Sequence, residues 1–164
     1  MDIFFFYITW LGSIILLLPA GVSMIALFRK TLNFADMLLI IGGLLGASLL
    51  AHLLKILCAR PRPTVVTDMM VNMPPDFSFP SAHTAQAASF FVALGLLASR
   101  DLPMKTGVAV WLCSGLLISL VGLSRIYLKV HYISDVVAGA ILGVLWVLVL
   151  NWLIHAVLRG GGHA

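Results

Sequence analysis

The sequence predicts an all-α integral membrane protein, a helical bundle of about five transmembrane helices forming one domain over residues 1–164. Three observations lead there. The chain is 62% hydrophobic and only 10% charged, with a mean hydropathy of +1.11, so a water-soluble fold would lack the polar residues to cover its surface. Five apolar stretches have the roughly 20 residues that a helix needs to cross a hydrocarbon core. The few charges collect near the ends of those stretches and in the links between them.

The first stretch, Phe4 to Phe28, begins close to Met1 but lacks the basic leader and cleavage pattern of a signal peptide. It reads as a mature helix with Pro19 as the place for a kink. The second, Asp36 to Cys58, stops before Pro61 and Pro63, which cannot continue a helix. The third, Ser81 to Ala98, opens with the helix-start residues Pro80 and Ser81. The fourth and fifth, Gly107 to Leu123 and Val136 to Leu158, frame a polar stretch from Ser124 to Asp135. Gly42-x-x-x-Gly46 and Gly139-x-x-x-Gly143 offer small faces for close helix packing within the chain or, as the alternative, for a dimer interface. Cys58 and Cys113 have no short pair spacing and read as lipid-facing or packing residues.

Alternate links share a side. Arg29, Lys30, Arg100, Lys105 and Arg159 fall on one face of the membrane, and Lys55, Arg60, Arg62, Arg125 and Lys129 on the other. If Lys55, Arg62 and Arg125 are held there by function, the positive-inside rule puts the short links and the C-terminus in the cytoplasm. The long link Ala59 to Pro80 and the Ser124 to Asp135 stretch then face outward, which is the periplasm or exterior if the membrane is a bacterial inner (plasma) membrane. Asp2 and the aromatic run Phe4-Phe5-Phe6-Tyr7 with Trp10 suit an outer interface. The basic residues form no stripe, which argues against a nucleic-acid partner.

Three polar clusters fall on that outward side. In Lys55-Ile56-Leu57-Cys58-Ala59-Arg60-Pro61-Arg62-Pro63, two prolines stiffen the chain around Arg62 while Lys55 stays inside the helix, so two cations can converge on one anion. In Asp76-Phe77-Ser78-Phe79-Pro80-Ser81-Ala82-His83, a helix start presents free amides and a positive dipole end to an anion, with His83 in reach for proton transfer. In the third, Arg125 precedes His131 and Asp135, which are four apart and share a face if the segment is helical. A carboxylate there can fix the tautomer of an imidazole. Three cations, two histidines, a carboxylate and a helix N-terminus suit a phosphate group.

Lys55 followed by six residues and Arg62-Pro63, then Pro80-Ser81-Ala82-His83, then Ser124-Arg125 with five residues to His131 and three more to Asp135, closely resembles the signature of the type 2 phosphatidic-acid phosphatase superfamily. These are metal-independent membrane lipid phosphatases related to vanadium haloperoxidases and bacterial acid phosphatases. Two differences stand out. The family usually has glycine where Ala82 lies, and many members have six membrane helices.

The resemblance implies roles. His131 would attack phosphorus to give a phosphohistidine, Asp135 would orient it, and His83 would protonate the leaving oxygen and then activate water. Lys55, Arg62, Ser81, Ala82 through its amide, and Arg125 would bind the substrate phosphate. Arg60, Lys129 and Tyr132 lie near enough to contact headgroups, and His52 matches no motif position. The implied activity is removal of phosphate from a membrane lipid phosphate or diphosphate, with undecaprenyl diphosphate favoured. Phosphatidic acid, phosphatidylglycerophosphate and lipid A phosphates are alternatives, and a non-catalytic lipid-phosphate binding or scrambling protein is a remote one. No metal or other cofactor is implied. The acids are six aspartates with no glutamate, those at 68 and 76 form no recognisable ligand set, and the cations supply what magnesium would.

Overall fold

The computed structural model describes residues 2–63 and 75–160, with side chains from Ile3 to Pro63 and from Pro75 to Val157. Six helices follow in order: α1 (Asp2–Trp10), α2 (Ile14–Leu27), α3 (Phe34–Cys58), α4 (Ala82–Asp101), α5 (Met104–Tyr127) and α6 (Ile133–Gly160). Helices α3 to α6 are each long and apolar enough to cross a membrane, and α1 with α2 forms a fifth span bent by 50°. The described residues are helical or irregular, with no strand.

The bend falls at Leu11-Gly12-Ser13, not at the expected Pro19, which stays inside α2. The cause lies outside the span. Gly12 presses against α4 and α5 so closely that a Cβ there would come within 2.7 Å of the His83 carbonyl oxygen. Ser13 caps α2 by accepting from the Ile15 amide at 3.3 Å, and the Ile14 amide donates to Gln86 Oε1 on α4 at 3.1 Å. Gln86 in turn donates to Ser48 Oγ on α3 at 2.9 Å. Backbone groups freed by a broken span need partners when lipid supplies none, and Gln86 satisfies one of them.

Helix α4 is central. In its membrane window 72% of residues are buried inside the protein, against 22–33% for the other three long helices. Its neighbours are α2, α3, α5 and α6. This position explains its small residues, since Ala85, Ala87, Ala88 and Ala93 are fully buried and let the helices approach closely. On α6, Gly139 and Gly143 lie directly over the carbonyls of Ser81 and Ala85 of α4, where a methyl group would collide with backbone. Gly46 of α3 is covered by the Trp146 ring, whose Nε1 donates to the Gly42 carbonyl at 3.1 Å. Both glycine pairs therefore serve packing within the chain.

At the end remote from the site, Asn33 and Asp36 form a reciprocal capping box for α3. Arg100 near the end of α4 donates to both Asp36 oxygens, at 2.7 and 3.0 Å, tying α3 to α4. At the opposite end Ala59 stops α3 in a left-handed conformation with φ 45°, and the chain leaves through Arg60-Pro61-Arg62-Pro63.

Candidate active site

The antiparallel order of α3 to α6 brings the C-terminal ends of α3 and α5 to the N-terminal ends of α4 and α6. Residues between positions 55 and 135 thereby converge. Lys55 is 3% exposed, Arg125 3%, His131 4% and Asp135 not at all, so these polar groups sit in a buried, low-dielectric environment. His83, in the first turn of α4, lies within the field of Arg125, His131, Lys55 and Arg62.

The Asp135 carboxylate accepts three hydrogen bonds. Oδ2 accepts from the Tyr132 amide at 2.9 Å and from the Ser78 hydroxyl, while Oδ1 accepts from Arg60 Nη1 at 2.7 Å. It both caps α6 and faces His131, so the two uses hold at once. The Ser124 to Asp135 segment is not one helix. α5 ends at Tyr127 and His131 sits in the connection, yet its Nδ1 still lies 3.5 Å from Asp135 Oδ2 and 3.4 Å from Ser78 Oγ.

The other ring nitrogen, Nε2, lies 3.3 Å from Arg62 Nη1. Arginine only donates, so Nε2 must accept there and Nδ1 carries the proton toward Ser78 and Asp135. Burial pushes the His131 imidazole down to about 2, with Arg125, Arg62 and Lys55 adding to the effect, which keeps it neutral at physiological pH. A neutral ring with a lone pair on Nε2 is what nucleophilic attack requires.

Arg62 also donates to the Val130 carbonyl at 2.7 Å. Arg125 Nη1 donates to Thr9 Oγ1 of α1 at 2.6 Å, while its buried Nε has no acceptor among the described residues. A buried donor without an acceptor is costly, and a phosphate oxygen would satisfy it. Ser81 occupies the N-cap of α4 without capping it. Its Oγ accepts from Thr84 Oγ1 at 3.0 Å and its amide donates to the Asp135 carbonyl at 2.9 Å. The following amides, at Ala82 and His83, have no intrahelical acceptor and remain available to an anion.

Several participants escaped sequence reasoning. Asp76 pairs with Lys55 Nζ at 3.1 Å and with the Arg62 guanidinium, joining the two expected phosphate-binding cations through one carboxylate. Ser78 lies between His131 and Asp135. Asp76-Phe77-Ser78 alternates polar and aromatic residues, a pattern that could have flagged both polar side chains as facing one way. Thr9, inside an apolar run, gave no signal. Arg60, expected at headgroups, is bound to Asp135 and Ser134 and lies 4.1 Å from the Tyr132 ring centroid. Asp68 lies outside the described residues, and His52 is exposed on α3.

Residues 36–159 match the family described as the PAP2 superfamily, a span that contains every expected site residue. The chain belongs to the PAP2 superfamily. PAP2 membership makes it a membrane-embedded phosphatase. It is 36% identical over 143 residues to phosphatidylglycerophosphatase B of Bacillus subtilis (strain 168), covering 84% of this chain and 68% of that one. It is 33% identical over 117 residues to a lipid A 1-phosphatase of Rhizobium etli, covering 67% of this chain and 46% of that one. The fold matches the crystal structure of a transmembrane PAP2-type phosphatidylglycerolphosphate phosphatase from Bacillus subtilis with a TM-score of 0.84. That match has 31% sequence identity and covers 94% of this chain and 77% of the other. α1 and α2 lie outside the PAP2 family match, although Thr9 and Gly12 touch Arg125 and His83.

Burial pushes the Asp76 carboxyl up, but the Arg62 hydrogen bond and the Lys55 charge outweigh it and hold the group below the usual carboxylate range. Asp76 is thus an anion already seated between the two cations expected to bind phosphate, and a phosphate bound by them would compete with it. Asp76→Asn is expected to lower KM and the inhibition constant of inorganic phosphate by roughly 2- to 5-fold, as for a partly exposed ion pair. Because the folded carboxyl titrates low, its pairing stabilises the protein above the ordinary carboxylate range and is lost in acid. Thermal unfolding should separate wild type from Asp76→Asn at pH 7, and the gap should close as the pH falls below about 4. An unchanged phosphate inhibition constant would refute the competition.

Proposed function

We propose that this chain is a metal-independent lipid phosphatase that removes the terminal phosphate of a polyprenyl diphosphate such as the undecaprenyl carrier lipid. The observation that carries the mechanism is the His131 ring, neutral, with its Nε2 lone pair turned toward the cation set. Nε2 attacks the terminal phosphorus, the bond from that phosphorus to the bridging oxygen breaks, and His83, which takes up a proton once the bound phosphate's negative charge offsets the surrounding cations, gives that oxygen the proton so that the lipid monophosphate leaves. His83 then takes a proton from a water that attacks the phosphohistidine, which releases inorganic phosphate and restores His131. Asp135, with Ser78, keeps the proton on Nδ1. Lys55, Arg62, Arg125, Ser81 and the Ala82 amide hold the phosphate oxygens as charge builds on them. Arg62 exchanges its contact with Nε2 for a phosphate oxygen when phosphorus arrives.

A lipid-phosphate binding or scrambling protein would use the cations but not two histidines in these positions. A second substrate, phosphatidylglycerophosphate, is favoured by the name of the Bacillus subtilis relative and of the matching crystal structure. The outward, periplasmic orientation is supported by the unpaired charges. Arg29, Lys30 and Lys105 are exposed and unpaired among the described residues at one end, whereas at the site end only Lys129 is. Arg159 lies outside the described side chains.

The test is phosphate release by detergent-solubilised protein in excess chelator, across undecaprenyl diphosphate, phosphatidylglycerophosphate, phosphatidic acid and a lipid A phosphate. Release is expected to persist in chelator and to be fastest on the diphosphate. Loss in chelator overturns metal independence, and fastest release from phosphatidylglycerophosphate replaces the first substrate by the second. A C-terminal reporter that reads periplasmic overturns the orientation.

A further inference from the structure

The N-terminal helix α1 lies outside the family match, yet one of its faces ends at the site. Phe5 and Thr9 are four apart and share that face. The Phe5 ring stacks on Tyr127, two residues beyond Arg125, with centroids 4.2 Å apart. One turn further along α1, Thr9 is 7% exposed, and its Oγ1 accepts from Arg125 Nη1 at 2.6 Å. Just past the helix, Gly12 lies so close to the His83 carbonyl that no side chain would fit between them. α1 thus reaches both the Arg125 side chain and the helix start that bears His83.

Thr9 differs from the partners of the neighbouring cations. Lys55 and Arg62 pair with Asp76, and Arg60 pairs with Asp135, so each has a carboxylate beside it. Arg125 forms no ion pair among the described residues, and a neutral hydroxyl holds it instead. A hydroxyl fixes a guanidinium without cancelling its charge. The contact also selects an edge. A guanidinium offers two N–H groups along the edge of Nη1 and Nη2 and two along the edge of Nε and Nη2, and either pair can grip a phosphate. Thr9 takes up Nη1, while the buried Nε has no acceptor among the described residues. A buried donor in that state is satisfied when an anion arrives. Of all charged groups, Arg125 exerts the strongest field on both His83 and His131, so its guanidinium stands close to both.

We propose that Thr9 is a positioning residue for the reaction: it anchors Arg125 so that the edge of Nε and Nη2 faces the phosphate bound at His131. This rests on the proposed role of Arg125 as a phosphate ligand. When His131 Nε2 attacks, charge builds on the phosphate oxygens, and a guanidinium fixed in advance stabilises that charge without having to turn. Released from Thr9, the long side chain regains rotamers that point this edge elsewhere. Thr9 itself touches neither the substrate nor the reacting atoms. Through it, α1 becomes part of the catalytic unit although it lies outside the family match.

The test compares Thr9→Val, which nearly keeps the size of the side chain and removes the acceptor, with Thr9→Ser, which keeps the hydroxyl and removes a methyl group. The full chain in uncharged detergent micelles is assayed for phosphate release from farnesyl diphosphate, and the unfolding temperature of each variant is recorded. Thr9→Val should lower kcat by about ten- to a hundredfold and change KM by less than about threefold, because the charge stays while its alignment is lost. Thr9→Ser should keep kcat within about threefold of wild type even where its unfolding temperature falls. Thr9→Ala takes the place of Thr9→Val if the latter does not fold, with the same expected loss. A threonine that only packs gives a different pattern, in which the folded variants keep the wild-type rate or lose it alike. Either outcome overturns the positioning role. Arg125→Ala separates the two levels of the proposal. If it keeps kcat within about threefold, Arg125 is not a phosphate ligand and the proposed phosphate site is wrong; if it loses about a hundredfold or more while Thr9→Val loses nothing, only the role of Thr9 is wrong.

Discussion

His131→Ala is expected to reduce phosphate release by at least about four orders of magnitude, because removing a covalent nucleophile deletes the pathway instead of weakening a contact. The ring is buried, neutral and held at both nitrogens, by Arg62 at Nε2 and by Ser78 and Asp135 at Nδ1. Alanine leaves the cations in place, so substrate should still bind. The informative measurement is paired: a single-turnover assay for release, and a binding assay with the same lipid. Wild type quenched in alkali during turnover should also carry one acid-labile phosphate, the signature of a phosphorus–nitrogen bond, and the variant should carry none. A variant that releases phosphate at more than about a hundredth of the wild-type rate is incompatible with His131 as the nucleophile.

Asp135→Asn is expected to lower kcat by roughly three to four orders of magnitude, the scale seen when a triad carboxylate becomes an amide. The carboxylate accepts from three donors, Arg60, Ser78 and the Tyr132 amide, and faces the Nδ1 proton of His131. An amide brings two donor hydrogens into that ring of donors. To avoid them the imidazole would move its proton to Nε2, where Arg62 also donates and where attack needs a lone pair. The fold suffers as well, because a buried group set with mismatched donors costs about 1–3 kcal/mol. Nitrogen shifts of labelled His131 should report the change of tautomer, and unfolding in detergent should report the lost stability. If Asp135→Asn retained activity within tenfold, Ser78 alone would be sufficient to orient the ring, and Ser78→Ala would become the severe variant.

The sequence determined a good deal of this protein by itself. Bilayer thickness demands long apolar stretches, and Asp36 to Cys58, Ser81 to Ala98, Gly107 to Leu123 and Val136 to Leu158 each fall within one of the helices α3 to α6, apart from Ser81. The glycine pairs announced close packing because a missing side chain is visible in any sequence. The three polar clusters were legible because charge in an apolar chain is conspicuous and because the spacings Lys55 to Arg62 and Arg125 to His131 to Asp135 are local. Alternation of topology then placed them at one end.

Only the tertiary structure decided the rest, since each remaining feature depends on a partner far away in the chain. The first span breaks at Gly12 and not Pro19 because α4 and α5 crowd Gly12 and Gln86 receives the freed amide. Proline's effect on a helix is local and could be anticipated, whereas a close approach by another helix could not. Asp76 joins Lys55 to Arg62, and Arg60 reaches Asp135, 75 residues on. Thr9 holds Arg125 from 116 residues away. Spacing along a chain fixes which residues can share a helix end. The orientation of a donor, the pairing of a carboxylate and the tautomer of an imidazole are set by electrostatics over a few ångströms, and those distances exist only once the helices have packed.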